Sequence, residues 1–425
     1  MITIYRILTL LLYPFFILVI YFRKLTNKED TIRYKEKIFS SNFKVNRKEN
    51  SFLIWFHAAS IGELKSIIPI IKELNNKNIE FLITTVTLSS SKIASEELKI
   101  FNNVHHRFFP LDVHFLIKKF LDSWSPNAIF LVDSEIWPNL IFEANLKNIP
   151  IALINARITN KTFKKWLIFP KTAEKIFGFF KMCLTSNLET KDFLKQLNVK
   201  NVFFNGNIKF ISNINTKRND NLNKNYLMQN KFWLAASTHV GEEIFCIKTH
   251  LKIKEKIKDI ITIIAPRHID KVKKIKSLCE KFNLKTEVLN KDQSISKGKE
   301  IIIINTFGIL QDYFNMAKSV FIGKSLLKKF KNDGGQNPID AAKFGCKIYH
   351  GPYVYNFDEI YKFLKANNVS KEIQNFNELG ENIIKDFEDS AQKDNHIYNL
   401  INKLGDETFK NTMKDINKFL SNEVY

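Results

Sequence analysis

The chain has 425 residues, of which 65 are Lys or Arg and 43 are Asp or Glu, so its formal net charge is +22. An apolar share of 45% and a charged share of 25% are typical of globular proteins and exclude a disordered or collagen-like chain. The four cysteines form no C-x-x-C pair, which argues against a zinc ribbon or a disulfide framework and favours a reducing compartment.

Residues 2–22 form an almost wholly apolar segment, interrupted by Arg6 and Pro14. As a single helix this segment would be about 31 Å long, the thickness of a hydrocarbon core. Basic residues between positions 23 and 37 follow it, and no small-residue cleavage site does. We therefore predict a membrane anchor over residues 1–24, with the rest of the chain on the cytoplasmic face of the inner membrane. The alternative is a buried N-terminal helix of a soluble domain.

The positive charge fits a protein held at an anionic membrane surface. Nucleic acid is the other common partner of a basic chain, but here the basic residues are spread along the sequence and no nucleic-acid-binding motif accompanies them. We predict no nucleic-acid partner.

Short apolar runs alternate with amphipathic stretches from residue 51 onward, which predicts an α/β fold with parallel sheets covered on both faces. The predicted strands of the first half are 52–56, 79–85, 128–132 and 151–154, and the helices are 64–74, 90–98, 113–121 and 139–146. The predicted strands of the second half are 232–236, 260–265, 301–304, 319–321 and 347–349.

An Asn-rich stretch over residues 206–230 separates the two halves, so we predict two doubly wound, Rossmann-like domains joined near residue 215. The domains cover residues 25–212 and 213–375. A charged helical segment over residues 376–425 either packs back on the first domain or forms a solvated end. In such folds a ligand binds at the carboxyl ends of the strands.

Polar clusters follow two predicted strands of the first half. Glu63 falls in the first turn of the helix after strand 52–56, where a carboxylate can cap the helix or act as a general base. Asp133 and Glu135 follow strand 128–132; a structural interpretation makes Glu135 a salt-bridge partner and Trp137 a core residue. Lys209, at the domain junction, supplies a cation to the same region.

Polar clusters also follow strands of the second half. Ser237 and Thr238, with Glu residues a few positions later, suggest a capped helix start that binds phosphate. Arg267, just past strand 260–265, is placed to bind a phosphate through its guanidinium fork, whereas His268 has an equally good structural explanation. A Gly-rich turn over 333–338 leads into a helix with Asp340 in its first turn. No set of residues has metal-ligand spacing, so we predict neither a metal nor a cofactor.

In this order, the clusters resemble those of the 3-deoxy-D-manno-octulosonic acid (Kdo) transferases of lipopolysaccharide synthesis, and the resemblance extends to about residue 360. The segments that carry it are HAASIGE (57–63), SEIWPNL (134–140), NAR (155–157), GNIK (206–209), STHVGEE (237–243), PRH (266–268), FGILQDYF (307–314) and GGQNPIDAAKFG (334–345).

The resemblance implies a B-type glycosyltransferase fold and transfer of Kdo from CMP-Kdo to a lipid A precursor, lipid IVA, with inversion at the anomeric carbon. It makes the first domain acceptor-binding and the second CMP-sugar-binding, with Glu63 as the base and with Asp133 and Lys209 stabilising the transition state. The positions that match CMP-holding segments are Pro266, Arg267, Phe307, Gly308, Ile309, Asn337, Pro338, Ile339 and Asp340. The negative charge of the leaving phosphate would be offset without a metal ion by Arg267, by Lys209 and by the helix start at Ser237 and Thr238.

The sequence departs from the family pattern at four positions. Asp133 and Asp340 stand where glutamate is usual, Gln336 replaces a usual histidine, and Lys324 occupies a position where glycine is common. Two alternatives remain open at this point. One is another B-type glycosyltransferase that uses a UDP-sugar on a lipid or cell-wall intermediate, and the other is a membrane-tethered basic protein that binds without catalysis.

Overall fold

The structure, a computed structural model, describes residues 2–48, 51–75, 78–211, 221–389 and 395–423. The chain divides into two compact units, residues 1–212 with 404–425 and residues 213–403. The predicted domain junction near residue 215 lies outside the described residues. Each unit contains one sheet of seven strands, and all strand pairs in both sheets are parallel.

The sheet of the first unit has the strand order β3-β2-β1-β4-β5-β6-β7. Its strands are β1 (Phe52–His57), β2 (Ile79–Thr85), β3 (Val104–Phe108), β4 (Ala128–Val132), β5 (Ile151–Ala156), β6 (Phe180–Thr185) and β7 (Val202–Phe204). The four predicted strands are confirmed because apolar runs mark strands that are buried on both faces. The sequence analysis missed β3, β6 and β7. Histidine and arginine interrupt β3, an exposed lysine interrupts β6, and β7 has only three residues.

Helices cover both faces of this sheet and bury separate apolar clusters on its two sides. The helices before residue 200 are α1 (Ile2–Leu11), α2 (Tyr13–Leu25), α3 (Ile61–Leu74), α4 (Leu88–Glu97), α5 (His114–Trp124), α6 (Pro138–Leu146), α7 (Asn160–Trp166), α8 (Pro170–Gly178) and α9 (Leu188–Gln196). A 3₁₀ helix, Ile208–Ile211, follows β7. The end of the C-terminal helix α17 (Asn395–Glu423) also packs here, with Phe419 against Phe130 at 5.3 Å between ring centroids.

The second unit repeats the architecture with the strand order β10-β11-β9-β8-β12-β13-β14. Its strands are β8 (Phe232–Thr238), β9 (Ile261–Pro266), β10 (Thr286–Leu289), β11 (Ile301–Ile304), β12 (Ser319–Ile322), β13 (Lys347–His350) and β14 (Ser370–Glu372). Its helices are α10 (Lys224–Met228), α11 (Glu242–Lys254), α12 (Val272–Lys281), α13 (Leu310–Met316), α14 (Ile339–Lys343), α15 (Asp358–Ala366) and α16 (Phe376–Glu388). The α/β class with two parallel, doubly wound sheets is therefore confirmed.

The N-terminal apolar segment is not the single straight helix that the sequence analysis predicted. It forms two helices, α1 and α2, bent by 52° at their junction. Pro14 causes the break because it lies in the first turn of α2 and has no N–H to continue the hydrogen-bond ladder of α1. Among the described residues no single helix is long and apolar enough to cross a bilayer, whereas the bent pair meets that requirement of length and composition when taken together.

Candidate functional site

The candidate site of the first unit lies where β1 and β4 end side by side. The chain leaves β1 toward β2 on one side of the sheet, and β4 continues toward β5 on the other, so this is the topological switch point at which ligands bind in doubly wound folds. Glu63 follows β1, Asp133 follows β4, and Lys209 lies in the 3₁₀ helix Ile208–Ile211.

Glu63 caps the helix in which it lies. Ser60 is the N-cap of α3 and its hydroxyl accepts a hydrogen bond from the Glu63 N–H at 3.3 Å. The Glu63 carboxylate in turn accepts one hydrogen bond from the Ala59 N–H at 2.7 Å and another from the Ser60 hydroxyl at 2.7 Å. The cap interpretation is thus confirmed. These contacts also fix the position of the carboxylate, which a general base requires.

The environment of Glu63 raises the pKa of its carboxyl from 4.5 to about 7. Burial is the largest cause, since the residue is only 8% exposed, and the negative charge of Asp133 adds to it. The hydrogen bond from Ser60 and the charge of Lys209 oppose the rise, and Glu135 adds to it. A carboxyl that titrates near neutral pH has the proton affinity that a general base needs at that pH.

Asp133 and Lys209 form an ion pair beside Glu63. The Lys209 Nζ donates to Asp133 Oδ2 at 2.5 Å, and each side chain is 14% exposed. Asn155, at the end of β5, donates its amide to the other oxygen of Asp133 and accepts the Ile208 N–H at 3.0 Å. Asp133 has a φ of 58° and Asn155 a φ of 54°, a left-handed backbone that Asp and Asn tolerate better than most residues. The sequence analysis gave Asn155 no role, although an Asn at a strand end signals this backbone.

Glu135 and Trp137 have the roles that the structural interpretation predicted for them. Glu135 accepts the Trp137 indole N–H at 2.9 Å and lies 3.3 Å from His57 Nε2. His57 is fully buried and its other ring nitrogen lies 2.9 Å from the Thr84 hydroxyl. Trp137 packs against the apolar cluster of this face of the sheet. This network holds the loop that begins with Asp133.

The raised pKa of Glu63 predicts a pH dependence of stability. In the unfolded chain the carboxyl loses its proton at about 4.5, but in the folded protein it does so at about 7. Between these two pH values the folded protein binds more protons than the unfolded chain. The free energy of unfolding therefore falls as pH rises, by up to about 3 kcal/mol. Urea unfolding at several pH values, compared with Glu63→Gln, isolates this effect. An identical slope in both proteins would contradict the assignment.

In the second unit, the predicted donor residues lie at the carboxyl ends of adjacent strands. Thr238 ends β8 and pairs with Pro266 at the end of β9, and the Arg267 N–H donates to the Thr238 carbonyl at 2.9 Å. Residues 307–309 follow β11 and lead into α13, with Gly308 at a φ of 85°. Residues 337–340 lead into α14, and the Asn337 side chain accepts the Ile339 N–H at 3.0 Å. Gln311 of α13 donates to Asp340 at 3.2 Å and so joins the last two segments.

The predicted helix start at Ser237 and Thr238 is wrong. Both residues belong to β8, and α11 begins only at Glu242, after Gly241 with a φ of 103°. The carboxylate of Glu242 accepts the His239 N–H at 2.9 Å and that of Glu243 accepts the Gly241 N–H at 2.9 Å. Acidic side chains of the chain itself therefore satisfy amides at this helix start, which leaves little room for an anion there.

Glu242 has a structural role that the sequence analysis missed. It is fully buried, and its carboxylate accepts the backbone N–H groups of Lys324, Ser325 and Leu326 at 2.7, 2.9 and 3.1 Å. This carboxylate thus joins the loop after β8 to the loop after β12. Two consecutive Glu residues after a glycine were the available signal, and it was interpreted only as capping.

The end of β8 carries two further features suited to an anionic ligand. The Thr238 hydroxyl is buried and has no hydrogen-bond partner among the described residues. His239 is surrounded by cations: its pKa is lowered to about 4, first by burial and then by His268, Lys324, Arg267 and Lys329. Within the described residues no group of three or more His, Cys, Asp or Glu side chains could hold a metal ion.

Comparison with known proteins shows which family has these features. Residues 32–212 match the family model described as 3-deoxy-D-manno-octulosonic-acid transferase (kdotransferase). The chain is 31% identical over 391 residues to the 3-deoxy-D-manno-octulosonic acid transferase of Rickettsia bellii, covering 89% of each protein. It is 27% identical over 326 residues to that of Aquifex aeolicus, covering 77% of this chain and 83% of the relative.

Two solved structures are similar in fold. A glycosyltransferase from Rickettsia africae has a TM-score of 0.55 at 12% identity and covers 88% of this chain and 98% of its own. The UDP-GlcNAc 2-epimerase from Neisseria meningitidis has a TM-score of 0.51 at 14% identity, with coverage of 87% and 99%. At these identities the likeness shows the fold alone, and the fold agrees with the B-type glycosyltransferase class. On the evidence of the curated relatives and the family model, the chain belongs to the 3-deoxy-D-manno-octulosonic acid transferases and is a glycosyltransferase.

Proposed function

We propose that this protein transfers Kdo from CMP-Kdo to a lipid A precursor, lipid IVA, with inversion and without a metal ion or other cofactor. The observation that carries the proposal is the buried Glu63 carboxyl, whose pKa of about 7 and fixed position suit a general base. Membership in an enzyme family argues against the non-catalytic alternative. No contact among the described residues favours a UDP-sugar donor.

In the proposed reaction, the ionised Glu63 carboxylate takes the proton from an acceptor sugar hydroxyl. The hydroxyl oxygen forms a bond to the anomeric carbon of Kdo while the bond from that carbon to the CMP oxygen breaks, and CMP leaves with the electron pair. Each Glu63 oxygen already accepts one hydrogen bond and keeps a free acceptor position. Protonation of Glu63 at the end of the step balances the charge that leaves with CMP.

Asp133 and Lys209 are proposed to stabilise the charges of the transition state. Positive charge develops on the sugar as CMP departs, and the Asp133 carboxylate can stabilise it. Lys209 and Asn155 hold that carboxylate in place, so its geometry is set before substrate binds. Asp133 is one methylene shorter than the usual glutamate and has a left-handed backbone, with a φ of 58°.

The second unit is proposed to bind CMP-Kdo through Thr238, Pro266, Arg267, residues 307–309 and residues 337–340. The unpartnered Thr238 hydroxyl and the cations around His239 support a phosphate at the end of β8. Arg267 is exposed at this edge, which leaves its guanidinium accessible to a ligand.

Lys324 gives a specific prediction about the donor site. It has a φ of 57°, and its Nζ lies 3.3 Å from Asp333. Its positive charge is one cause of the lowered pKa of His239. We expect Lys324→Asn to raise the KM for CMP-Kdo by about tenfold, the value of one charge-assisted contact. Lys324→Gly should lose the same affinity while relieving the left-handed backbone and raising the melting temperature. An unchanged KM in both variants would remove Lys324 from the donor site.

The bent helix pair α1–α2 is proposed to attach the protein to the inner membrane, with both units on the cytoplasmic face. Many large apolar side chains of this pair are exposed, among them Leu11, Leu18, Phe22 and Leu25. A lipid acceptor makes attachment at the membrane surface useful, because the hydroxyl to be modified lies at that surface.

The test is a transfer assay with CMP-Kdo generated in situ and a tetraacylated lipid A precursor, read by mass spectrometry in the presence of a chelator. The expected result is a mass gain of one or more Kdo units together with release of CMP. The number of units added would be read from the same spectrum. Transfer from a UDP-sugar in a parallel reaction, with no gain from CMP-Kdo, would overturn the proposal.

A further inference from the structure

The first unit exposes a second apolar segment besides the helix pair. Leu167, Ile168 and Phe169, consecutive residues of the connection between α7 and α8, are 45%, 65% and 52% exposed. We call residues 167–169 the α7–α8 elbow. Three adjacent large apolar side chains on a surface connection mark an interaction site more often than an isolated one does.

We propose that the α7–α8 elbow is a second membrane-contacting element, and that α1–α2 lies along the membrane surface beside it instead of crossing the bilayer. This inference rests on the membrane attachment proposed above and adds to it the orientation of the helix pair and a second point of contact. The ligand is an anionic lipid surface.

Three polar side chains of α1, those of Tyr5, Arg6 and Thr9, face the first unit. The Tyr5 hydroxyl donates to Asp112 at 3.0 Å, Arg6 forms an ion pair with Glu143, and Asn139 donates to the Thr9 hydroxyl at 3.3 Å. Asp112 and Glu143 are themselves buried. If α1 left this position to cross a bilayer, Arg6 would enter hydrocarbon without its carboxylate and Asp112 would lose a partner, both of which are costly.

The side of α1 opposite these polar contacts is apolar and exposed. Ile4, Ile7, Leu8 and Leu11 of α1 are all exposed. A helix with polar groups satisfied on one side and apolar groups on the other lies in the interface of a membrane, with its apolar side in the acyl region. The docked geometry therefore favours an in-plane orientation.

The elbow belongs to the same helical layer as α1. The Arg6 guanidinium lies 4.6 Å from the centre of the Phe142 ring in α6, and Lys175 of α8 lies 5.6 Å from the centre of that ring. Phe142 also packs against Phe179 after α8, at 5.8 Å between ring centroids. Helices α6, α7 and α8 all contribute to the apolar cluster on one side of the sheet, and Tyr13 packs there too. One surface can thus contact α1–α2 and the elbow together.

The charge around the elbow identifies the surface as anionic. Residues 158–175 contain one acidic residue, Glu174, and a set of exposed lysines. These lysines are Lys161, Lys164, Lys165, Lys171 and Lys175. Lysines that flank a short apolar segment bind lipid headgroup phosphates while the apolar side chains enter the acyl boundary. A neutral protein partner would give no reason for this charge.

The first experiment measures binding to vesicles of phosphatidylcholine with and without phosphatidylglycerol. We expect Leu167→Ser/Ile168→Ser/Phe169→Ser to weaken binding to both vesicle types by about tenfold or more. Lys164→Gln/Lys165→Gln/Lys171→Gln should weaken binding by about tenfold or more only when phosphatidylglycerol is present. The matched controls are Ile100→Ser, an exposed apolar residue elsewhere in the first unit, and Lys256→Gln/Lys258→Gln/Lys273→Gln in the second.

The outcomes separate the two proposals. If the native protein does not sediment with either vesicle type, both the attachment and this inference fail. If it binds and the elbow variants bind as tightly as the controls, the inference alone fails. Selective loss in the elbow variants, with unchanged circular dichroism, supports it.

A second measurement reports position directly. A tryptophan placed at the tip of the elbow, Ile168→Trp, should be quenched by lipids with brominated acyl chains, whereas Ile100→Trp should not. For the orientation of α1, Thr3→Cys should not react with a membrane-impermeant thiol reagent trapped inside the vesicles, because an in-plane helix does not reach the inner surface of the bilayer; all four native cysteines are buried. Labelling of Thr3→Cys by the trapped reagent, with Ser41→Cys unlabelled, would indicate a spanning helix and overturn the in-plane orientation.

Discussion

Glu63→Gln is expected to lower kcat for Kdo transfer by about 10²–10⁴-fold, the usual contribution of a general base. The amide is nearly the same size as the carboxylate and can still accept the Ala59 N–H, so α3 stays capped. The measurement is single-turnover transfer under saturating donor and acceptor, with the melting temperature recorded for the same samples. The native enzyme should also gain activity as pH rises through about 7, because the base must be ionised.

The matched control for Glu63 is Thr159→Ala, which removes the N-cap hydroxyl of α7 and leaves the contacts of the Glu63 carboxylate unchanged. This variant should lose about 0.5–2 kcal/mol of stability and keep most of its turnover in the folded fraction. The reverse pattern, with Glu63→Gln active and less stable, would make Glu63 a cap only. The pair of variants thus separates the two interpretations of the same residue.

Breaking the Asp133–Lys209 ion pair is expected to have the second largest effect. Asp133→Asn or Lys209→Met removes one partner of an ion pair that has little contact with solvent, and should cost up to about 3 kcal/mol of stability. Either change should also lower kcat by about 10²–10³-fold, since a charge aimed at the transition state is lost or displaced.

The double variant Asp133→Asn/Lys209→Met tests whether the pair acts in catalysis or only in stability. It removes both charges of the pair together, so its stability should recover toward that of the native protein. Its kcat should stay low. Recovery of both stability and turnover would show that the pair serves the fold alone. Urea unfolding and the transfer assay on the four proteins complete the cycle.

Much of the architecture could be predicted from local patterns. Strands such as β4 and β11 are short apolar runs between polar turns, and burial on both faces leaves no other composition for them. Pro138 begins α6 as predicted because proline fits the first turn of a helix. The strand β3 was missed for the opposite reason, since its histidines pair with neighbouring side chains that the sequence does not place.

Local patterns gave wrong predictions where the same residues are compatible with more than one structure. Ser237 and Thr238 followed by two Glu residues fit a capped helix start, but β8 continues through both because it pairs with β9 up to Pro266. The N-terminal segment fits a spanning helix by length, yet the polar groups of Arg6 and Tyr5 find partners on α6 and near α5. Sequence spacing carries no information about partners more than a hundred residues away.

The sequence by itself determined the alternation of strands and helices and the placing of polar clusters after strands, because backbone geometry and burial are local constraints. It also determined that Glu63 lies in the first turn of a helix. The tertiary structure decided the chemistry: burial and the charge of Asp133 raise the pKa of Glu63, and folding places Lys209 beside Asp133 although 76 positions separate them. Proton affinity and ion pairing depend on distances through space, and only the folded chain fixes those distances.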